Sequence, residues 1–379
     1  DRVWSFDPVV SVGGEVDDNA QLTTRTDDIV ELTGLLLEGA VDIGYRSETT
    51  EFLFTPLVQD RSYSDEPDFD STMIDAKLRY DFESLRNRWR FDAWFNQDTV
   101  RNAERADSDI GIEDPDLIPD DDTGLVQLRG DRDKLVLRPS WAFAWTDKST
   151  STVRFNFRDV SYDDVLLLTD YTDMQLMVDY RLDFSQKTTG FVVGAVRNYE
   201  ADANFAEFDS NALSVGFETR FSPTLLMRAR VGAENVESPI SGLDETRPIG
   251  ELTFIRRLET IRLLAQYRRS VTSSGRGRMS SRDAVNLNFT RLLGERFEAG
   301  IGVRAYSSKP ISVLPGAEAF GRDYLQLTTL FAWNITRTFA FRAQYRYTVV
   351  DREIVGESAN SNQVIVWFDF RPLGIRQDR

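Results

Sequence analysis

The feature that most constrains this chain is a strict two-residue alternation, clearest in Leu135–Tyr162. Leu135, Leu137, Pro139, Trp141, Phe143 and Trp145 fall on one side of an extended backbone. Val136, Arg138, Ser140, Ala142, Ala144 and Thr146 fall on the other. A polar turn, Asp147–Thr150, leads into a second run in which Val153, Phe155 and Phe157 alternate with Arg154, Asn156 and Arg158. Successive side chains of a strand point to opposite faces, so this is a β-hairpin with one aromatic, apolar face and one arginine-bearing face. A soluble sheet could bury the apolar face against a second sheet. A transmembrane barrel would turn it to lipid and keep the arginines in a wet lumen.

The rest of the chain decides between these. The same alternation recurs in eighteen stretches, from Trp4–Val16 to Gln363–Arg371, and is very clear in Ile74–Phe82 and Trp89–Phe95. Only Glu51–Gln59 has an ambiguous facing, because Phe52, Leu53, Phe54, Leu57 and Val58 crowd both sides. Short connections sit near 47–50, 83–86, 147–150, 185–188, 222–224, 257–260, 292–295 and 336–338. Long ones sit near 17–28, 60–70, 101–130, 163–171, 199–210, 235–246, 271–281, 307–322 and 349–360. A propeller would need a recurrent four-strand blade signature, which is absent, and stacked sandwiches would not alternate short and long connections throughout. The expectation is an all-β fold: one transmembrane antiparallel β-barrel domain of about 18 strands over residues 1–379, in a bacterial (Gram-negative) outer membrane. Tight turns then face the periplasm, loops face outward, and an even strand count places both termini in the periplasm.

Composition is compatible. The chain is 41% hydrophobic with a mean hydropathy of -0.37, but only alternate residues of a barrel strand meet lipid, so the mean stays low. No run of eighteen apolar residues offers a transmembrane helix. The chain starts Asp1-Arg2-Val3-Trp4 with no leader pattern, so any signal peptide is expected to have been removed. His and Cys are both absent, which excludes Ser-His-Asp hydrolysis and His-ligated metals and leaves no enzyme expected. The net charge of -17 belongs to four loop-like segments, 17–28, 60–70, 101–130 and 199–210, with 22 acidic and 5 basic residues between them. The remainder is balanced. No partner of nucleic-acid type and no cofactor is expected.

Aromatic residues mark strand ends, as interfacial girdles do. Phe82, Trp89, Trp145, Phe184, Phe221, Trp333 and Phe339 lie beside short turns; Tyr63, Tyr162, Tyr171, Tyr199, Tyr306, Tyr324 and Tyr347 lie beside long connections. The last stretch, with Val364, Val366, Phe368 and Phe370, looks like a barrel-assembly signal, with Pro372–Arg379 trailing beyond it.

Four short motifs carry a resemblance: Val12-Gly13 to Asp17-Asp18-Asn19; Gln97–Asn102 before a loop ending Thr123-Gly124; Leu137–Trp141 leading to Trp145-Thr146-Asp147; and Asp159–Tyr162 followed by Asp170-Tyr171. On these, and on layout along nearly the whole chain, the sequence resembles the outer-membrane β-barrel (putative porin) family of exopolysaccharide and exosortase-linked gene clusters. The resemblance implies an exit conduit for an exported polysaccharide, working with periplasmic polysaccharide-export proteins. Outer-membrane lipid and lipopolysaccharide are the other expected partners.

Eighteen strands enclose a lumen too wide for side chains to fill. The pore-lining candidates are Arg79, Arg88, Arg90, Arg138, Arg154, Arg158, Arg181, Arg220, Arg228, Arg230, Arg262, Arg268, Arg304, Arg342 and Arg346, faced by carboxylates such as Asp75, Asp81, Asp92, Asp179, Glu218, Glu251 and Asp369. Guanidinium groups suit an acidic glycan or another anion; the same residues suit a cross-strand ion-pair lattice that stiffens the wall. Export, a diffusion porin for small anionic solutes, and a non-conducting structural barrel in an envelope complex are the functional alternatives. Asp116, Asp120, Asp121 and Asp122 could gather a calcium ion, although their spacing is not that of an EF-hand and a solvated loop also explains them. Ser273–Arg278, SSGRGR, reads as a flexible basic loop tip. Ser307–Arg322, with Ile311, Val313, Leu314 and Phe320, reads as an apolar loop able to fold into the lumen.

Overall fold

The computed structural model describes residues 3–24, 26–104, 130–163, 165, 168–202, 207–240, 242–311, 321–352, 357–372 and 375–378. Among them eighteen long strands follow one another: β1 Val3–Asp17, β2 Leu32–Arg46, β3 Thr50–Tyr63, β4 Ser71–Glu83, β5 Asn87–Thr99, β6 Asp131–Thr146, β7 Ser149–Asp163, β8 Tyr171–Asp183, β9 Thr188–Ala201, β10 Glu207–Ser222, β11 Leu225–Ser238, β12 Leu243–Arg257, β13 Ile261–Ser274, β14 Arg278–Leu293, β15 Phe297–Pro310, β16 Arg322–Asn334, β17 Phe339–Arg352 and β18 Glu357–Phe370. A short helix, α1 (Val100–Glu104), follows β5.

Each strand pairs antiparallel with its neighbour in sequence, and β1 pairs with both β2 and β18, so the sheet closes on itself. The seam runs from Val10↔Phe370 to Asp17↔Gln363. Beyond Pro372 the chain does not trail away as expected. A four-residue strand, β19 (Ile375–Asp378), resumes pairing with Val3–Phe6 of β1. It occupies the same position in the wall as β18, one residue out of register, and the ladder has eighteen positions. Pro372 has no N–H to offer, which accounts for a break at that point.

The strands outrun their apolar pattern at the long-loop end. Most of 199–210, 235–246 and 271–281, expected as loops, is strand in β9–β14. Past the lipid both faces are polar or luminal, so the hydropathy alternation lapses while the hydrogen-bonded ladder continues. The ambiguous facing of β3 is settled by its partners. Gln59 donates to Glu38 (2.9 Å) and Thr55 to Asp42 (2.6 Å), which puts the odd-numbered residues inside and Phe52, Phe54 and Val58 outside.

The outer face is apolar around the whole circumference: Leu35, Leu213, Val231 and Phe368 are each 60% exposed or more. A water-soluble monomer rarely exposes apolar surface on this scale. In hydrocarbon it is the favourable arrangement, and closure leaves no strand edge with unpaired backbone groups. At the short-turn end an aromatic girdle is present. Trp89 stacks on Trp141 at 5.6 Å, Trp4 meets Tyr45 at 4.8 Å, Phe297 stacks on Trp333 at 5.8 Å and Phe339 meets Phe370 at 5.1 Å. The other end differs from expectation. Tyr63, Tyr171, Tyr199, Tyr306 and Tyr324 are buried, on the inner face. Tyr63, for example, shares the face of Gln59, and its hydroxyl donates to Glu15 (3.2 Å).

The two faces predict opposite responses to charge. Val231→Arg, near the middle of β11 on the outer face, is expected to cost about 2–4 kcal/mol in urea unfolding from lipid vesicles. A shift within about 0.5 kcal/mol, the usual result for a solvent-exposed site, would mean that this face does not meet lipid.

Candidate functional site: the lumen and its inward-folded elements

The inner face is a lattice of ion pairs running across strands. Arg79 donates to Asp92 (2.7 Å), and Arg90 and Arg88 reach Asp81 (2.9 and 3.3 Å). Arg154 and Arg181 share Asp179 (3.5 and 2.9 Å), Arg228 meets Glu218 (3.3 Å) and Arg230 meets Glu251 (3.0 Å). On β17, Arg342 holds Asp369 through two hydrogen bonds (2.7 and 2.8 Å). The pairs are asymmetric. The Asp179 side chain is 5% exposed against 37% for Arg154 and 30% for Arg181, and Glu251 is 4% exposed against 26% for Arg230. A short carboxylate stays at the wall, whereas arginine carries its charge out on a long stem. The water in the lumen therefore meets guanidinium groups first.

A cavity of about 820 Å³ occupies the β4–β13 side, from the Glu83–Asn87 turn up to Val271–Ser273. Ten of the fifteen candidate arginines border it: Arg79, Arg88, Arg90, Arg138, Arg154, Arg158, Arg181, Arg228, Arg230 and Arg268. The other five do not. Arg220, opposite Leu226 beside a register shift, and Arg262, opposite Arg257, sit at the short-turn rim. Arg304 lies between Asn286 and Gln326 in register, Arg342 lies against Asp369, and Arg346 is buried with Nη1 donating to Gln363 (3.0 Å). Arg86, Arg197 and Arg269 also border the cavity. Among the described residues around it, thirteen arginines stand against four carboxylates: Glu83, Asp92, Asp173 and Glu234.

Two elements fold inward at the long-loop end. The first is the β13–β14 hairpin. The β12–β13 ladder stops at Gly250↔Arg269, while β12 goes on pairing with β11 as far as Leu243. Freed from β12, residues 270–274 cross the inside of β10–β12 and dock on β9. There Arg197 donates to the Val271 carbonyl (3.0 Å) and to Ser273 Oγ (2.9 Å), and Tyr199 Oη donates to the Ser274 carbonyl (2.8 Å). Val271 and Met279 pack with Val160, Tyr171, Tyr199, Phe208 and Val236. The SSGRGR tip is thus no free loop: Ser273 and Gly275 are buried, and the Thr169 N–H donates to the Gly275 carbonyl (2.8 Å). Of the apolar loop 307–322, Ile311 joins this cluster through its N–H to the Met279 carbonyl (2.9 Å); residues 312–320 lie outside the described residues.

The second element is the β1–β2 connection. Leu22, fully buried in a left-handed backbone conformation (φ 48), packs on Tyr306, Tyr324, Val350 and Ala359. Arg101 of α1 fastens this connection, donating to the Ala20 carbonyl (3.1 Å) and reaching Asp17 (3.4 Å) and Glu15 (3.6 Å), both carboxylates fully buried. Two of the motifs that carried the resemblance, one ending Asp17-Asp18-Asn19 and the other holding Arg101-Asn102, therefore meet in space. Asp116, Asp120, Asp121 and Asp122 fall outside the described residues. Among those described, no cluster of three or more metal-binding side chains occurs.

Arg197 is not among the candidates because the clear apolar alternation of its strand, Phe191–Val196, ends one residue before it. The alternation that places Val193 and Ala195 inside would have found it, had β9 been carried one residue further. Nothing in the sequence marks the departure of β13 from β12.

No protein-family model matches the chain, and no curated protein matches its sequence. In fold it is similar to OpdO of Pseudomonas aeruginosa, at 9% identity over 98% of each chain with a TM-score of 0.50. It is also similar to OccAB4 of Acinetobacter baumannii, at 7% identity over 100% of this chain and 98% of that one, TM-score 0.49. A third is OpdK of P. aeruginosa, solved with vanillate, at 9% identity over 98% and 99%, TM-score 0.49. At such identities the likeness is one of fold. The chain is a closed eighteen-position antiparallel barrel of the outer-membrane, porin-like type. Nothing in the comparisons carries the link to polysaccharide export.

Arg101 offers a test of the inward fold. Arg101→Met takes the nearest cation from buried Asp17 and Glu15, leaving Arg61 at 3.9 Å from Glu15 and neutral donors on both, and is expected to cost about 3 kcal/mol in urea unfolding. Adding Glu15→Gln and Asp17→Asn should recover much of the loss, and a single change without effect would remove Arg101 from its fastening role.

Proposed function

We propose that the chain is a diffusion channel for small anionic solutes across the outer membrane. The observation that carries this reading is the charge inversion between protein and lumen. A chain of net charge -17 presents thirteen arginines and four carboxylates to its cavity, with the paired carboxylates set back against the wall. A water-filled space lined by one sign of charge concentrates the opposite ion and raises its rate of entry. The hairpin that crosses the lumen above the cavity suits small solutes better than a polymer, so diffusion is preferred to polysaccharide export. The neighbours in fold are in keeping with this choice.

The ion-pair lattice and the anion path are one arrangement under this reading. Asp81, Asp179 and Glu251 fix the guanidinium groups in place without cancelling them, because each pair shows its positive end to the water. With tight turns in the periplasm, solutes would leave through the Glu83–Asn87 end.

Reversal potentials across a planar bilayer under a salt gradient test the reading. The native channel is expected to prefer chloride over potassium. Arg90→Ala/Arg138→Ala/Arg154→Ala should lower that preference several-fold, since each change removes charge from the same wall. Preference for cations in the native protein would end the proposal.

A further inference from the structure

We propose that Arg197 sets the size limit of the lumen, acting as a positioning residue that holds the β13–β14 hairpin against β9. The claim rests on the channel reading in assuming a lumen that conducts, but not on the lumen's preference for anions.

The geometry makes Arg197 the hub of the docking. Its Nε donates to Asp173 Oδ1 (2.7 Å), a carboxylate on β8 that is itself buried. Nη2 donates to the same carboxylate at Oδ2 and also to Ser273 Oγ (2.9 Å) on the hairpin, and Nη1 donates to the Val271 carbonyl (3.0 Å). Ser273 closes the ring by donating to Asp173 Oδ2 (2.8 Å). One guanidinium therefore joins two wall strands to the strand that has left the wall. Planar, multi-donor geometry is what this task needs, and lysine cannot reproduce it.

The hairpin is built to depend on such a contact. From Ser270 to Ser274, β13 keeps β14 as a partner but has lost β12 on its other edge. A strand edge must find acceptors and donors somewhere: the Val271 carbonyl is taken up by Arg197, while Tyr199 donates to the Ser274 carbonyl, which also accepts the turn N–H of Gly277 (3.0 Å). The Thr169 N–H to the Gly275 carbonyl (2.8 Å) and the packing of Val271 and Met279 against the wall add to this docking, and on the opposite edge of the hairpin the β14–β15 ladder continues to Ser280↔Pro310. That ladder is a natural hinge: it can hold one side of the hairpin while the other side swings. Val271 and Ser273, the residues Arg197 holds, border the top of the cavity. Their position decides how far the cavity extends.

A chain without cysteine allows a direct test. Single-channel conductance and exclusion of graded neutral polyethylene glycols would be measured for the native protein, Arg197→Ala and Arg197→Lys. In Arg197→Ala the hairpin should release, conductance should rise about twofold or more, and larger polymers should enter; Arg197→Lys should fall between. Since Arg197→Ala strands buried Asp173, heat-modifiable migration on gels reports folding, and Tyr199→Phe/Ser273→Ala gives a second variant that leaves the ion pair in place. The triple variant Arg197→Ala/Asp173→Cys/Ser273→Cys then replaces the latch with a disulfide. It should conduct like the native protein when oxidised and like Arg197→Ala when reduced, which a general loss of stability would not produce. An unchanged polymer cut-off in folded Arg197→Ala and in the second variant overturns the proposal, as does a disulfide that fails to restore the native cut-off. Neutral polymers separate this from the anion reading: a shifted cut-off in a channel without ion preference keeps the latch and discards the anion path.

Discussion

Everything in this molecule follows from the rule that a backbone in hydrocarbon must satisfy its own hydrogen bonds. A sheet can do so only by closing. The closure here is exact in partners but not smooth. β18 gives way at Pro372, and β19 completes the ladder on Val3–Phe6 one residue out of register. Once the sheet is closed, each strand has one face in lipid and one in the lumen, and sequence alternation becomes a map of inside and outside. With eighteen positions the lumen is wide, so the inner face cannot be covered by ordinary core packing. Charge pairs and inward-folded chain do that job instead.

The charge pairs have a consequence that counting residues does not reveal. Acidic and basic groups on the strands are nearly balanced, which suggests a neutral interior. The difference in side-chain length breaks the balance in space. Asp179 and Glu251 lie at the wall, while Arg154, Arg181 and Arg230 extend beyond them. A neutral lattice can therefore present a cationic surface. Under the proposed channel function, the stiffening role and the conducting role, which look like rivals in the sequence, would be served by the same pairs.

How much of this was legible in the sequence depends on whether lipid had written it there. Where a strand crosses the membrane, the apolar face imposes a period of two, and Leu135–Trp145 or Ile74–Phe82 can be assigned residue by residue. Beyond the membrane that pressure is gone. The strands continued to Ala201 on β9 and Ser274 on β13, and the sequence there looked like loop. The tyrosines at that end were misassigned for the same reason: an aromatic ring beside a loop suits an interfacial girdle and a luminal cluster equally well, and only facing separates them. The ten candidate arginines that border the cavity are legible because they lie on strands with that alternation, and which side of the barrel the cavity takes is not. Arg197 was passed over because it lies one residue past where the pattern was followed.

The two inward elements share a logic. In each, an arginine is fixed by carboxylates buried on the wall and gives a further donor to a backbone carbonyl of chain that has left the wall. Arg101 uses Glu15 and Asp17 to hold the Ala20 carbonyl; Arg197 uses Asp173 to hold that of Val271. A carbonyl facing a lumen instead of a neighbouring strand needs a donor, and a guanidinium has enough of them to serve a carboxylate and a carbonyl at once. The carboxylate matters as much as the arginine, because it makes burial of the cation tolerable. The arrangement differs from the lattice below only in depth. Near the short turns the guanidinium groups stand out into water, and at the loop end they are covered by the chain they hold. One side-chain chemistry thus lines the open part of the lumen and fastens the part that narrows it.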